Sequence, residues 1–262
     1  MKDSPAKFSF GKNWKDFIST ISEDNIKSAQ KDIKEWFGTG GFNDKSVLDV
    51  GCGSGLSSLI FYRLGAKVLT SFDSDIDSVE STRVLWEKAG RPCNWHIMQG
   101  SILDEKFMDS LNPGFDVVYS WGVLHHTGSM LKALENACKL VKKGGNLLVA
   151  IYVKGPRYEK DLLLKQRYND SSPVVRGIIV RVELLKMMLR KVKHFKNPFI
   201  YNNGASRGMC MYHDMVDWLW GLPYEVASPD QIVEFTRKRG FVLEKIKTTP
   251  EGGCNTYLFS LP

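Results

Sequence analysis

The sequence predicts an α/β protein whose core is a mostly parallel β-sheet. Between Ser46 and Tyr152, short apolar runs alternate with stretches of helical periodicity, and this alternation is typical of βαβ units. The glycine-rich turn DVGCGSG sits between the first of these runs and a helical stretch. The last two runs, FVLEKIK and CNTYLFS, are separated only by TTPEGG, which is too short for a parallel crossover, so we expect an antiparallel final pair.

The first predicted element is a helix over residues 23–37. Its apolar residues recur at spacings of three and four from Ile26 to Trp36, with Ser22 placed to cap its start and Gly38 its end. The predicted elements that follow are, in order, strand SVLDV, helix LSSLIFYRLG, strand KVLTSF, helix DIDSVESTRVLWEKAG, strand NWHIM, strand FDVVYS, helix SMLKALENACKLVKKGG, strand NLLVAIY and helix SPDQIVEFTRKRG.

Composition and charge narrow the class of protein. The chain is 43% hydrophobic and 25% charged, as an ordinary globular protein is, and its five cysteines have no spacing typical of disulfide frameworks or zinc sites. The start, MKDSPAKFSF, lacks an apolar signal-peptide core, and no apolar run reaches the ~18–20 residues that cross a bilayer, so we expect a cytoplasmic protein. The net charge of +7 is concentrated in residues 174–196, which carry seven Lys or Arg and one Glu.

The glycine turn itself excludes two nucleotide-binding motifs. Gly51, Gly53 and Gly55 allow close approach of the backbone to a ligand, because they lack a Cβ atom. The third glycine of G-x-G-x-x-G would fall on Leu56, and the G-K-[ST] of a P-loop is absent. Asp49, just before the turn, is placed to orient loop amides or to reach a ligand ammonium group.

Five motifs in order resemble those of class I S-adenosylmethionine-dependent methyltransferases. They are VLDVGCGSG, TSFDSD, MQGSILD, FDVVYSWGVLHHTG and LVKKGGNLLVAIY, and they extend from about Ser46 to Tyr152. Within that class, the motifs most resemble those of the small-molecule methyltransferases of ubiquinone biosynthesis. This resemblance implies a Rossmann-like, doubly wound sheet of seven strands with an antiparallel last strand, and S-adenosylmethionine as cofactor; no metal is implied.

The resemblance also divides the chain, as a single domain, into four parts. We expect an N-terminal helical cap (1–43), a cofactor-binding core (44–154), a helical lid that holds the acceptor (155–225), and a C-terminal helix and strand pair (226–262). FSFGKNWKDF resembles the opening of one subgroup, in which Phe10, Gly11, Asn13 and Trp14 would cover the cofactor. The alternative is that these residues only staple the first helix.

The motifs imply a role for each of several residues in the cofactor site. Asp73 would accept the ribose hydroxyls, and Ser101 with Ile102 would meet the adenine edge. The alternatives are a helix N-cap for Asp73, which Asp75 could provide instead, and an ordinary turn for Ser101. Trp121 would contact adenosine or the acceptor, or belong to the core. The full predicted cofactor set is Asp49, Gly51, Cys52, Gly53, Gly55, Asp73, Ser74, Ser101, Ile102, Trp121 and Trp14.

The acceptor site is predicted from the loop LHHT and from the lid. A hydroxyl acceptor must lose a proton, and histidine titrates near neutrality, so His126, His125 and His213 are the candidate bases. The alternative is that these histidines have a structural role. The predicted acceptor-binding residues are Arg207, Tyr212, Asp214, Trp218 and Asn255.

We therefore predict methyl transfer to a small-molecule acceptor, most readily at the oxygen of a phenol, quinol or sugar hydroxyl. The alternative is methylation of RNA or of a membrane-associated acceptor, with the basic helix 174–196 as docking surface. The absence of a separate RNA-binding module disfavours nucleic acid. The apolar residues of that helix could pack on the sheet, on a second subunit as in a homodimer, or on lipid. A non-catalytic cofactor-binding protein is a third alternative.

Overall fold

The fold is built around one β-sheet. The computed structural model describes residues 11–194, 197, 211–249 and 252–262. The sheet has seven strands in the order β3-β2-β1-β4-β5-β7-β6. They are β1 (Ser46–Val50), β2 (Val68–Asp73), β3 (Trp95–Gln99), β4 (Phe115–Trp121), β5 (Val141–Tyr152), β6 (Val242–Lys247) and β7 (Cys254–Ser260). The first five strands in this order, from β3 through β2, β1 and β4 to β5, pair in parallel. Strand β7 runs antiparallel between β5 and β6. The predicted doubly wound sheet with an antiparallel final pair is confirmed.

Helices surround this sheet and follow the order of the chain. They are α1 (Gly11–Thr20), α2 (Glu23–Phe37), α3 (Leu56–Arg63), α4 (Ile76–Lys88), α5 (Glu105–Ser110), α6 (Met130–Leu140), α7 (Tyr158–Asp170), α8 (Pro173–Lys193), α9 (Met211–Trp220) and α10 (Pro229–Arg237). A 3-10 turn at Leu124–His126 follows β4. None of the helices among the described residues is long and apolar enough to cross a membrane.

Two predicted N-terminal helix caps are confirmed, and one predicted helix end is wrong. Ser22 and Asn25 form a reciprocal capping box at the start of α2, and Asp75 caps α4 by accepting the Asp77 N–H. The prediction that VKKGG continues the sixth helix is wrong. Helix α6 ends at Leu140 because Val141 is extended and pairs with Phe115, so β5 begins there.

The apolar core lies on both faces of the sheet, and the lid has a small core of its own. One face packs against α6 and α10, and the other against α2 and α3. The lid core is formed by buried residues of three helices, α7, α8 and α9: Tyr168, Ile179, Val180, Val216 and Leu219. Helix α8 therefore packs on its lid neighbours through Ile179 and Val180, and not on the sheet, which was one of the three alternatives.

The topology predicts where a ligand binds. Strand β1 lies between β2 and β4, so the chain leaves the carboxyl end of β1 on one side of the sheet and returns on the other. In open α/β sheets the crevice at this switch point is where ligands bind. The lid follows β5, whose carboxyl end lies at the same edge.

Candidate active site

The glycine turn after β1 has the conformation that its sequence predicts. Gly51, Gly53 and Gly55 all have φ between 54° and 77°, a region that side chains with a Cβ rarely adopt. A Cβ on Gly51 would lie 2.4 Å from Val123 Cγ1, and one on Gly55 would lie 2.7 Å from Thr82 Cα. The turn therefore needs glycine for its backbone and for its packing.

Asp73, at the end of β2, is held beside that turn by two backbone groups. Its Oδ2 accepts the Gly53 N–H at 3.0 Å, and its Oδ1 accepts the Asp75 N–H at 2.9 Å. Burial raises the pKa of Asp73 to about 6, although the two N–H groups oppose the shift. The carboxylate is thus oriented toward the crevice and is ionised at neutral pH. Asp75 serves as the helix cap, which leaves Asp73 for a ligand.

Asp49 is directed into a buried polar network. It is 2% exposed, and its Oδ2 accepts the Ser58 hydroxyl at 2.5 Å. Ser58 in turn contacts Ser71, whose oxygen accepts the Trp95 indole N–H at 2.9 Å. This network ties β1 to α3, β2 and β3, and Asp49 still reaches the wall of the cavity.

The predicted adenine-edge residues lie on the far side of Asp73. Gly100 donates its N–H to the Asp73 carbonyl at 2.9 Å, which places Ser101 and Ile102 next to the β2 end. The Ile102 side chain is buried, and its carbonyl accepts the Asn136 amide at 2.7 Å. Ser74, Ser101, Ile102 and Trp121 all line the cavity together with the glycine turn.

The N-terminal helix covers the glycine turn. A Cβ on Gly53 would lie 3.1 Å from Trp14 Nε1, so the indole rests against the turn. Asn13 joins this helix to the lid: its amide donates to the His213 carbonyl at 3.0 Å, and its Oδ1 lies 2.7 Å from His213 Nδ1. His213, a predicted base, is therefore a clasp between α1 and α9. Phe10 lies outside the described residues.

A cavity of about 2090 Å³ extends from the glycine turn to the lid. This exceeds the roughly 300–1,000 Å³ that a pocket for one ligand occupies, so the cavity has room for a cofactor and an acceptor together. At the lid end its wall is aromatic, and Tyr152 contacts Tyr224 with ring centroids 4.9 Å apart. Trp218 and Trp220 of α9 complete that wall.

His126 lines the cavity at its aromatic end, where its ring centroid lies 5.6 Å from that of Tyr152. Its Nδ1 lies 2.7 Å from the Pro223 carbonyl oxygen, which can only accept, so Nδ1 carries the proton and Nε2 the lone pair. Burial, and next the positive charge of Lys165, lower the pKa of His126 to about 3. The expected pKa near neutrality is thus corrected: the ring is neutral throughout the physiological range.

His125 occupies a different environment from its neighbour. It is fully buried, its Nδ1 accepts the Tyr152 N–H at 3.4 Å, and its ring packs 4.2 Å from that of Tyr152. Burial lowers its pKa well below the ordinary value. His125 belongs to the support beneath the site, and of the adjacent pair His126 is the one that lines the cavity.

Some of the predicted acceptor-binding residues line the cavity and others do not. Asp214 and Trp218 line the cavity. Tyr212 is 54% exposed, and buried Asn255 accepts the Thr249 N–H at 2.7 Å, which closes the β6–β7 connection. Arg207 lies outside the described residues.

Lys165 is a functional-site neighbour that the sequence interpretation missed. Its side chain is fully buried, donates to the Trp218 carbonyl, and lies 4.5 Å from the Trp218 ring and 4.6 Å from the Tyr224 ring. Burial lowers the pKa of Lys165 to about 7, against the opposing charge of Asp217. Within the stretch YEKDLLLKQRYND the only signal was a lysine among leucines.

Comparison with known proteins identifies the family. A family model described as a methyltransferase domain matches residues 14–187, which is more than half of the chain. The chain belongs to the methyltransferase-domain family. This confirms the predicted class of enzyme and, with it, S-adenosylmethionine as the cofactor.

Individual relatives of this methyltransferase match only parts of it. A ubiquinone biosynthesis O-methyltransferase of Alkalilimnicola ehrlichii is 29% identical over 118 residues, 45% of this chain and 46% of the relative. A tRNA U34 carboxymethyltransferase of Shewanella sp. is 28% identical over 149 residues, 57% of this chain and 43% of the relative. The chain thus spans about half the length of these relatives. The solved magnesium protoporphyrin IX methyltransferase of Synechocystis PCC 6803, with bound SAH, has the same fold: TM-score 0.53, 13% identity, and coverage of 89% of this chain and 82% of that one.

The residues of the crevice fit this cofactor. A carboxylate with acceptor capacity beside the glycine turn suits a pair of ribose hydroxyls. An indole against the turn suits a sulfonium cation or an adenine ring.

Proposed function

We propose that this methyltransferase transfers the methyl group of S-adenosylmethionine to a hydroxyl oxygen of a small aromatic acceptor, such as a phenol or quinol. One observation carries the proposal: the neutral His126, with its lone pair on Nε2, stands at the aromatic end of a cavity large enough for both ligands. When bound, S-adenosylmethionine supplies an electrophilic methyl group for in-line displacement from sulfur.

At the cofactor end, we assign the ribose to Asp73 and the methionine part to the glycine turn. Ser101 and Ile102 border the adenine, and Trp14 and Trp121 enclose the remainder. These residues bind and orient, and the Asn13–His213 clasp keeps Trp14 over the turn, so that water is excluded from the reacting atoms.

At the acceptor end, Tyr152, Trp218 and Tyr224 offer ring faces and edges on which a planar acceptor can stack. This favours a phenol or quinol over a sugar. His126 Nε2 takes the acceptor's hydroxyl proton as the oxygen attacks, and the Pro223 carbonyl stabilises the resulting imidazolium through Nδ1–H. Because burial disfavours that cation, His126 returns to its neutral form once the methyl group has been transferred.

The relative named as an O-methyltransferase supports transfer to oxygen, and the relative named for tRNA supplies the competing acceptor class. The test is to incubate the protein with ¹³C-methyl S-adenosylmethionine and a panel of phenols, quinols, sugars, amino acids and bulk RNA. We expect turnover with phenols or quinols and a ¹³C NMR shift of a methyl ether. A product methylated at nitrogen or carbon, or turnover only with RNA, would contradict the proposal.

A further inference from the structure

Helix α8 has two apolar faces, and within the described part of the lid only one of them is packed. Ile179 and Val180 are buried in the lid core. A second set of apolar side chains on this helix is between 37% and 74% exposed: Val174, Val175, Ile178, Val182, Leu185, Leu189 and Val192. We call these seven residues the outer stripe.

The outer stripe is continuous because of its spacing. From Val175 to Val192 its members recur at alternating intervals of three and four, which keeps them on one side of a helix that rises ~1.5 Å per residue. Single exposed apolar residues need no explanation, but an ordered row of seven over five turns does. Among the residues that the structure describes, α8 meets α7 and α9 through its opposite side.

The charges beside the outer stripe are of one sign. At 100° per residue, Arg181 falls on one border and Lys193 on the other, next to Lys186, which also lines the cavity. All three are exposed. The acid of this helix, Glu183, points to the inner side and pairs with Lys186 at 2.7 Å.

This charge pattern discriminates between occupants. A second copy of the chain, packed stripe to stripe, would place lysines and arginines opposite one another, which costs free energy at such borders. Nucleic acid would satisfy the cations but leave the apolar row in water. An anionic bilayer surface satisfies both, because acyl chains cover the row and lipid phosphates meet the basic borders.

We propose that α8 docks this methyltransferase on anionic membrane surfaces, lying in the interface with the outer stripe toward the acyl chains. The same helix contributes Arg176, Met187 and Arg190 to the wall of the acceptor cavity. Docking therefore brings that wall to the bilayer. Resting on the proposed function, we further infer that the acceptor is a lipophilic hydroxyl compound that partitions into the membrane.

The test is sedimentation of the full chain with sucrose-loaded vesicles, made either of phosphatidylcholine alone or of equal parts phosphatidylcholine and phosphatidylglycerol. We expect binding to the anionic vesicles, weakened by salt. Replacing Ile178, Leu185 and Leu189 by Gln should lower the partition coefficient about tenfold or more. Arg181→Gln with Lys193→Gln should also lower it about tenfold or more.

The controls remove exposed side chains of the same two kinds elsewhere. Val84→Gln with Leu131→Gln removes apolar residues of α4 and α6, and Lys67→Gln with Lys88→Gln removes two exposed charges. Both control variants should bind vesicles as the parent does. All variants should keep S-adenosylhomocysteine affinity, which shows that they are folded.

The outcomes separate docking from catalysis. Wild-type protein that binds S-adenosylhomocysteine but leaves the anionic vesicles unbound would overturn the docking proposal, whatever it methylates. So would equal binding by the stripe variant, or a dimer in analytical ultracentrifugation that the stripe variant abolishes. Vesicle binding that follows the stripe and the charges, in a protein that methylates no hydroxyl compound, would support docking and overturn the proposed function alone.

Discussion

The Nδ1 atom of His126 lies 2.7 Å from the carbonyl oxygen of Pro223, which joins the loop after β4 to the end of the lid. The adjoining Glu225 N–H donates to the His125 carbonyl at 3.1 Å, so the two segments are bound at two points. The lid thus determines which ring nitrogen of His126 holds the proton.

Gly221 makes the position of that ring testable from the lid side. A Cβ on Gly221 would lie 2.5 Å from His126 Cε1, so Gly221→Ala must displace the ring. Because misplacement by about 1 Å can cost about 10²-fold, we expect kcat to fall by roughly 10- to 100-fold with S-adenosylhomocysteine affinity unchanged. Gly177→Ala, where the nearest atom to the new Cβ is 3.8 Å away, is the control and should keep kcat. Full activity of Gly221→Ala would show that catalysis does not depend on the position of the His126 ring.

Asp73 should set both the strength and the pH dependence of cofactor binding. Asp73→Ala removes charge-assisted hydrogen bonds worth ~1.5–3 kcal/mol each, so calorimetry should show S-adenosylhomocysteine affinity reduced about tenfold or more. In the parent, affinity should fall as pH drops through about 6, because protonation of Asp73 removes the acceptor. Asp104→Ala, which removes a carboxylate that caps α5, is the control and should leave affinity unchanged. An affinity independent of both Asp73 and pH would refute the ribose assignment.

The Asn13–His213 clasp should matter for cofactor retention rather than for proton transfer. Asn13→Ala removes two hydrogen bonds and should lower the free energy of unfolding by about 1–3 kcal/mol. It should also raise the S-adenosylhomocysteine dissociation rate, since Trp14 loses its anchor. His213→Ala should do the same, and the double variant should be little worse than either single one. Additive losses in unfolding experiments would show that the two side chains act separately.

Lys165 should make stability depend on pH in a particular direction. Its pKa falls from an ordinary 10.5 to about 7 on folding, so between these values the unfolded chain binds more protons and stability rises with pH. Lys165→Met should lose that rise, which amounts to roughly 2–3 kcal/mol between about pH 7.5 and 9.5. Urea unfolding at both pH values, with exposed Lys88→Met as the control, measures it. If the free energy of unfolding changes equally with pH in the parent and in Lys165→Met, the Lys165 amine is solvated in the folded protein.

Much of the fold could be predicted because its signals are local. Short apolar runs located the strands, recurrence at three and four located the long helices, and the six residues of TTPEGG indicated the direction of the last strand. The boundary after Leu140 was missed because VKKGG has no apolar period of its own. Pairing with Phe115, which is distant in the sequence, decides it.

The candidate site was predictable on the cofactor side and much less so on the acceptor side. Asp73 and the glycines lie within one βαβ unit, so sequence spacing alone brings them together. The roles of two of the three histidines depend on partners 97 and 200 residues away: Pro223 for His126 and Asn13 for His213. The burial of Lys165 likewise arises only when three lid helices pack.

The central claim is that a hydroxyl proton passes to a neutral His126, and turnover of His126→Gln at saturating S-adenosylmethionine tests it most directly. We expect kcat to fall by about 10²–10⁴, with S-adenosylhomocysteine affinity unchanged, while His213→Gln keeps its kcat within a few-fold. Since the pKa of His126 is about 3, the parent's kcat should show no step near pH 6.5. Near-normal turnover of His126→Gln, or a step in the parent near pH 6.5 that His126→Gln abolishes, would contradict the account.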